Sequence, residues 1–218
     1  MAIVHQTTLK PTKLELVTGW LPGRPWYRAG TGAPALEKSG GFRLDDPAGE
    51  VGMEIIVITD TATPEPTVYL VPLTYRGAPL PDAEHALVGT MEHGVLGTRW
   101  AYDGCHDPVL VAELLALIEG RAEAQDQNAS EAPDPEVTRS YTGAPFTGEP
   151  SAPDPVDDEN GTRLPAPHGT TLRVHRVLTP RPENPPVRPD GAIGHVASGW
   201  QAPDGSRARG VFAVLEPH

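Results

Sequence analysis

Glu92, His93, Asp103, His106 and Asp107 place five groups able to ligate a metal or move a proton in one short stretch, with the only thiol of the chain, Cys105, among them. Their spacing does not build a metal site: there is no His-x-x-x-His to put two imidazoles on one helix face and no Cys-x-x-Cys. Asp107 stands before Pro108 and an apolar run, which makes it a helix N-cap, and His106 then falls on the surface beside that helix start. Cys105 and His106 are neighbours in sequence, so their side chains point apart. No third group orients the imidazole, as a nucleophile and base pair would require. Glu92 and Asp103 are the pair to consider for glycosidase chemistry, which needs two carboxylates at a fixed separation that sequence spacing does not set. Gly30-Thr31-Gly32 and Ser39-Gly40-Gly41 lack the following Lys-Ser/Thr of a phosphate loop and read as turns. The expectation is no catalytic residue, no metal and no cofactor.

The other dense constellation is Trp20, Arg24, Trp26, Tyr27 and Arg28. Aromatics interleaved with arginine after a helix make a sugar-stacking platform or an interface anchor. The plainer reading is that Trp26 and Tyr27 plug the open end of a sheet, and a carbohydrate ligand is sought here first.

These residues must be positioned by a chain of 218 residues, enough for one good core or two small ones. Proline is the outlier, 26 residues or roughly 12% against an average near 5%. Of the net charge of −12, nine units come from 119–159, where eleven carboxylates face Arg121 and Arg139. That acidity, and the lack of a basic face, exclude binding driven by nucleic-acid phosphates. The single cysteine excludes a disulfide framework and fits a reducing compartment. No apolar run reaches the ~20 residues of a membrane helix, and the first ten residues lack a signal-peptide layout. The expected location is the cytoplasm.

A strand is expected over Ile3 to Leu9, then a short helix opened by a Thr12/Glu15 capping box, carrying Leu14, Leu16, Val17, Trp20 and Leu21 and ended by Pro22-Gly23. Strands are predicted at Gly41 to Leu44, Val51 to Thr59 and Thr67 to Tyr75. Glu54, Ile56 and Ile58 oppose Met53, Ile55 and Val57, as in a strand buried over most of its length. The stretch YRGAPLPDAEHALVG, from Tyr75, reads as a loop and short helix packing Leu80, Ala86, Leu87 and Val88, with Asp82 and Glu84 solvated. The surest element runs from Pro108 to Gly120, with a broad apolar face from Val109 to Ile118. Helices and an antiparallel sheet in this order give an α+β domain over residues 1–124. Residues 125–169 read as an acidic, proline-rich linker with one docked strand at 137–146. Residues 170–218 supply a strand at Thr170 to Leu178 and a hairpin, Ile193 to Gln201 and Ala208 to Leu215, turned by Ala202 to Ser206.

WLPGRPWYRAG from Trp20, YLVPLTYRGAPLPDAEHALVGT from Tyr69 and MEHGVLGTRWAYDGCHDPVLVAELLALI from Met91 resemble the N-terminal cap of the maltokinase-like sugar kinases of actinobacterial trehalose and α-glucan metabolism. The resemblance implies a cystatin-like curved antiparallel sheet around a helix. In those enzymes a kinase of the aminoglycoside-phosphotransferase type follows. Here Leu172 to Leu178, Pro180, Asn184-Pro185 and the Val211 to Glu216 strand resemble scattered parts of its N-lobe, up to the hinge. By that resemblance Arg173 stands where the nucleotide-phosphate lysine would be, and the two are not equivalent in a phosphate clamp. With the sequence stopping at His218, no room is expected for the catalytic Asp or the metal-binding Asn and Asp on which phosphoryl transfer depends. The expected function is a non-catalytic, cap-like interaction or regulatory module near trehalose, maltose or glycogen metabolism, with a protein partner from that metabolism and a carbohydrate as candidate ligand. The alternatives are a sugar kinase completed by a partner chain, and a small-molecule binding domain using the concave face of the cap sheet.

Overall fold

A computed structural model describes residues 8–28, 30, 32–127, 132–146, 154–180 and 189–217. Of the strand expected at Ile3 to Leu9, only its end is described, where Leu9–Lys10 form β1; Ile3 to Thr7 lie outside the described residues. Helix α1, Lys13–Trp20, starts as its sequence dictates: Thr12 Oγ1 accepts the Glu15 amide at 3.2 Å and Glu15 Oε2 accepts the Thr12 amide at 2.6 Å. A 3₁₀ turn at Leu21–Gly23 ends it.

Strands β2 (Leu36–Leu44), β3 (Gly52–Asp60) and β4 (Thr67–Arg76) follow as an antiparallel meander. The hairpin of β5 (Leu87–His93) and β6 (Gly97–Asp103) comes next, preceded by a 3₁₀ turn at Glu84–Ala86 that packs with Leu80 and Leu87. Helix α2, Pro108–Glu119, has Asp107 as N-cap, Pro108 at its start and Gly120 as a left-handed C-cap at φ 88°. Glycine adopts that φ without the steric cost a Cβ brings.

The segment 125–169, expected to dock one strand, contributes β7 (Thr138–Tyr141), β8 (Val156–Asp157) and β9 (Gly161–Ala166). The remaining strands are β10 (Thr170–His175), β11 (Gly194–Gln201) and β12 (Arg207–Pro217). All belong to one antiparallel sheet in the order β1-β5-β6-β4-β3-β2-β11-β12-β10-β9-β8, with β7 also on β11. The architecture is therefore sheet-rich, with two α-helices among the described residues. No helix among them is long and apolar enough to cross a membrane.

The sheet returns on itself. Beyond β10 the chain continues as Arg176 to Leu178 and pairs with β4: the Leu70 amide donates to Arg176 O, and the Leu178 amide to Val68 O, both at 2.9 Å. This closes a circuit through β4, β3, β2, β11, β12 and β10. Its other seam is equally thin, since β2 and β11 share the single bridge Gly40–Trp200. Both seams tie strands of the first half of the chain to strands of the last third.

Alternation along β3 and β4 sends one set of side chains into the circuit and the other outward. Met53, Ile55, Val57, Val68 and Leu70 point in, to meet Leu110, Leu114 and Ile118 of α2 and Trp200, Phe212 and Leu215 of the C-terminal hairpin. Phe42 of β2 lies 6.1 Å from Phe212, ring to ring. The face of β3 and β4 that turns into the circuit is thus covered by α2 and by side chains of the C-terminal hairpin. Each large aliphatic buried there stabilises the fold by ~1.5–3 kcal/mol relative to exposure. Outward, Ile56, Ile58, Tyr69, Val71 and Leu73 are covered by Val17, Trp20 and Leu21 and by Trp26.

Candidate functional site

The residues from Trp20 to Arg28 do come together, but their aromatic faces turn inward. Trp26 is fully buried, with its ring centroid 5.7 Å from that of Trp20 and 5.9 Å from that of Tyr69. Arg24 stacks on Trp20 at 4.8 Å. Tyr27 donates its hydroxyl to Asp60 Oδ2 at 3.2 Å; burial, then the charge of Asp60, pushes the phenol up to about 12. The Arg28 amide donates to Tyr69 Oη at 2.9 Å, and its guanidinium, on the exposed side, reaches Asn160 Oδ1 at 3.4 Å. Neither tryptophan offers a face to a sugar. The cluster lies over the outer side of β3 and β4 rather than at an open end of the sheet.

What the cluster covers is a buried charge pair that sequence reasoning did not single out. Arg176 is 0% exposed, and its Nη2 donates to both oxygens of Asp103, at 2.6 and 2.7 Å. Its Nε donates to Thr162 Oγ1 at 2.7 Å, and Thr162 donates in turn to Asp157 Oδ1 at 2.6 Å. The guanidinium carbon sits 5.1 Å from the Trp26 ring centroid. Burial alone lowers the pKa of this guanidinium, yet the Asp103 carboxylate and the groups around it more than offset that, and the net shift is upward. Five segments meet here: the Trp26 turn, the end of β6, β8, β9 and the clasp after β10. The sequence signal was slight, an arginine beside Val177, where the apolar alternation of the strand breaks.

The five groups that suggested metal or acid-base chemistry are dispersed into separate tasks. Asp103 also accepts the Cys105 amide at 3.1 Å. Asp107 is buried and forms a two-point pair with Arg76, Nε to Oδ2 and Nη2 to Oδ1, both 2.7 Å, while capping α2 through the Val109 amide. Glu92 is exposed and accepts from Thr98 Oγ1 at 2.7 Å, and His93 Nδ1 accepts the Val95 and Leu96 amides in the β5–β6 turn. His106 Nδ1 lies 3.1 Å from His85 Nε2, and burial lowers its pKa. Glu92 and Asp103 therefore do not form a carboxylate pair. Among the described residues no three ligating side chains assemble into a metal cluster. Burial pushes the Cys105 thiol up to about 12, far from the range of an activated nucleophile.

Arg173 projects from β10 to Asp158, its Nη2 donating to Oδ2 at 2.9 Å, with Arg163 Nε 3.6 Å from the same oxygen. Burial acts to raise the Asp158 pKa, but the Asn160 and Gly161 amides and the two arginines hold it below its ordinary value. Asn184-Pro185 lies outside the described residues.

Fold and centre together define a sheet-rich antiparallel protein fastened by buried ion pairs, with tryptophan packed over one of them. Residues 20–107 match the family model of the maltokinase N-terminal cap domain, so the chain carries a maltokinase N-terminal cap-like domain. That match begins at Trp20 and ends at Asp107, and it contains the aromatic cluster, β2 to β6 and the carboxylates Asp103 and Asp107 of the two ion pairs described above. A comparison with curated proteins finds no match.

Proposed function

We propose that this maltokinase-related chain is a non-catalytic interaction or regulatory module of trehalose, maltose or α-glucan metabolism, working in the cytoplasm with a protein partner from that metabolism. What carries the reading is that the matched region is a cap, and that its buried ionisable groups are committed to architecture: Asp107 to Arg76, and Asp103 to Arg176. Arg173 adds support. In kinases the corresponding lysine clamps nucleotide phosphates, whereas this guanidinium is paired with Asp158 in the turn between β8 and β9. A curved, cystatin-like cap sheet wrapped on α2 is the arrangement this reading assumes for residues 1–124.

The test is a phosphotransfer assay of the pure chain with ATP-Mg²⁺ and maltose, beside calorimetric titration of each. No turnover is expected, and robust turnover sinks the proposal. A pull-down from native extract separates the neighbouring reading: recovery of a stoichiometric kinase lobe that confers maltose phosphorylation would make the chain part of a split enzyme.

A further inference from the structure

His106 meets a second imidazole. Its Nδ1 lies 3.1 Å from His85 Nε2, with the two rings nearly perpendicular at 79°. They belong to different elements: His106 closes the 3₁₀ turn at Gly104–His106 that leads into α2, and His85 sits in the 3₁₀ turn at Glu84–Ala86. The contact therefore ties the strap 77–86, between β4 and β5, to the end of β6. The strap is also held by Leu80, Ala83 and Ala86, packed with Leu87, Trp100 and Tyr102, and by the Leu80 amide, which donates to Tyr102 Oη at 2.9 Å. Within it Asp82 takes φ 60°, a left-handed conformation that a side chain disfavours.

We propose that the His85–His106 contact is a pH-operated latch, which keeps the strap closed over Tyr102 and Trp100 while at least one imidazole is neutral and releases it when both are protonated.

Donor chemistry sets that rule. A neutral imidazole has one N–H donor and one bare nitrogen, whereas an imidazolium has two donors and no acceptor. With no added proton, or with one, a donor still faces an acceptor, and the singly charged pair is the stronger bond. The second proton puts two N–H groups and two like charges face to face at hydrogen-bonding distance, and the contact becomes repulsive.

Exposure sets the order. His85 is exposed and takes the first proton, whereas His106 is half-buried. The charged groups facing His106 are Asp103 at the end of β6, His85 from the strap, Arg176 from the clasp after β10 and Asp157 from β8. Burial is the largest influence and lowers the His106 pKa; the two carboxylates act against it, while His85 and Arg176 act with it. Both carboxylates are engaged elsewhere, Asp103 by Arg176 and Asp157 by Thr162. A folded-state value below the ordinary 6.5 means that the latch contributes fully above 6.5 and is lost as pH falls through the lowered value. Opening is local. The Arg176–Asp103 and Arg76–Asp107 pairs run through neither imidazole, so both stand when the strap lifts.

The test is amide hydrogen exchange by NMR on the full chain from about pH 7.5 to about pH 5, the range in which imidazoles titrate, expressed as protection relative to the intrinsic rate at each pH. Protection of the Leu80 and Ala86 amides should fall together, by up to about tenfold for each pKa unit separating the closed and open states, while Leu114 in α2 keeps its protection. His106→Gln, which retains a donor and an acceptor but does not titrate, should abolish the fall. His85→Gln, at an exposed position, should lessen it. A fall below about twofold in the parent, too small for a titrating latch, or an equal fall in either glutamine variant, would overturn the proposal. Parallel loss at Leu114 would overturn it too, because the acid response would then be unfolding of the whole sheet rather than release of the strap.

Discussion

Replacing Asp103 by Asn keeps the size of the side chain and removes the charge that Arg176 needs. Both groups are buried, at 3% and 0% side-chain exposure, so water cannot replace the lost partner. An exposed pair is worth only ~0–1 kcal/mol, but removing one partner of a buried pair costs ~3–5 kcal/mol, because the other charge is stranded. The Nε bond to Thr162 softens the loss without supplying a negative charge. Against a total stability of ~5–15 kcal/mol for a typical domain, Asp103→Asn should remove a large fraction of it. Arg176→Met should cost a similar amount, by stranding Asp103 with the Cys105 amide. The double variant should recover part of the loss, since a neutral pair of similar volume leaves no buried charge stranded.

Urea unfolding followed by tryptophan fluorescence reads this directly, because Trp26 lies against the Arg176 guanidinium. Each single variant should lower the midpoint at unchanged slope. Asp103 lies within the matched region and Arg176 outside it, so the parent should show one transition, with β4 and β10 amides protected together in hydrogen exchange. A loss below about 1 kcal/mol in both single variants, the range of an exposed pair, or separate melting of β10 and β12, would refute the reasoning.

Other perturbations test other joints. Glu54 is 5% exposed at its side chain and held by Lys13, Lys38 and the Tyr75 hydroxyl. Burial acts to raise its pKa, but the two lysines and the phenol leave it lowered. A lowered folded-state value means its contribution is complete above the unfolded carboxyl pKa, near 4.3, and fades as pH falls through the folded value. Glu54→Gln should therefore flatten the acid limb of a midpoint-against-pH curve, and an unchanged limb counts against the assignment. Asp107→Ala should cost more than the ~0.5–2 kcal/mol of a lost N-cap, because Arg76 loses both its bonds; Asp107→Asn, keeping the cap acceptor, should cost less in the same urea titration. Cys105 should resist a thiol reagent at pH 8 and react only at the rate of unfolding, so fast labelling of native protein would contradict its burial.

Legibility in the sequence followed the range of the interaction. Helix α2 was legible because Asp107, Pro108, its apolar face and Gly120 all act within fourteen positions of one another. Strands β3 and β4 were legible because both faces are apolar enough to survive uncertainty about register. β8 and β9 were not, since within them Leu164 is the only large apolar side chain buried, and β9 exists by pairing with β10 and β8 by pairing with β9. β5 and β6 were hidden by polar exposed positions and by a register shift at Leu87/Gly89, where Gly89 takes φ +157° beside Leu16. The partnership of Asp103 with Arg176 spans 73 positions. Nothing local announces it beyond an arginine in an apolar run.

The two seams of the circuit show why the least legible contacts matter. A β ladder normally ties neighbours by many backbone bonds, yet β2 and β11 share one bridge, and β4 meets the clasp through two hydrogen bonds. Such short pairings cannot hold strands whose closure spans more than a hundred residues of chain, because ordering that loop costs entropy that few backbone bonds offset. Each seam is instead backed by side chains: Trp200 with Phe212 and Phe42 at the first, and Arg176 with Asp103 under Trp26 at the second. At the first seam that packing lies behind Gly40, and Asp126, Gln127 and Glu136 stand near it on the other side. At the second seam Tyr69 and Trp26 cover the clasp from outside. A cap-like region and the strands beyond it are thus joined at two thin seams, and the buried arginine is what fixes the second one.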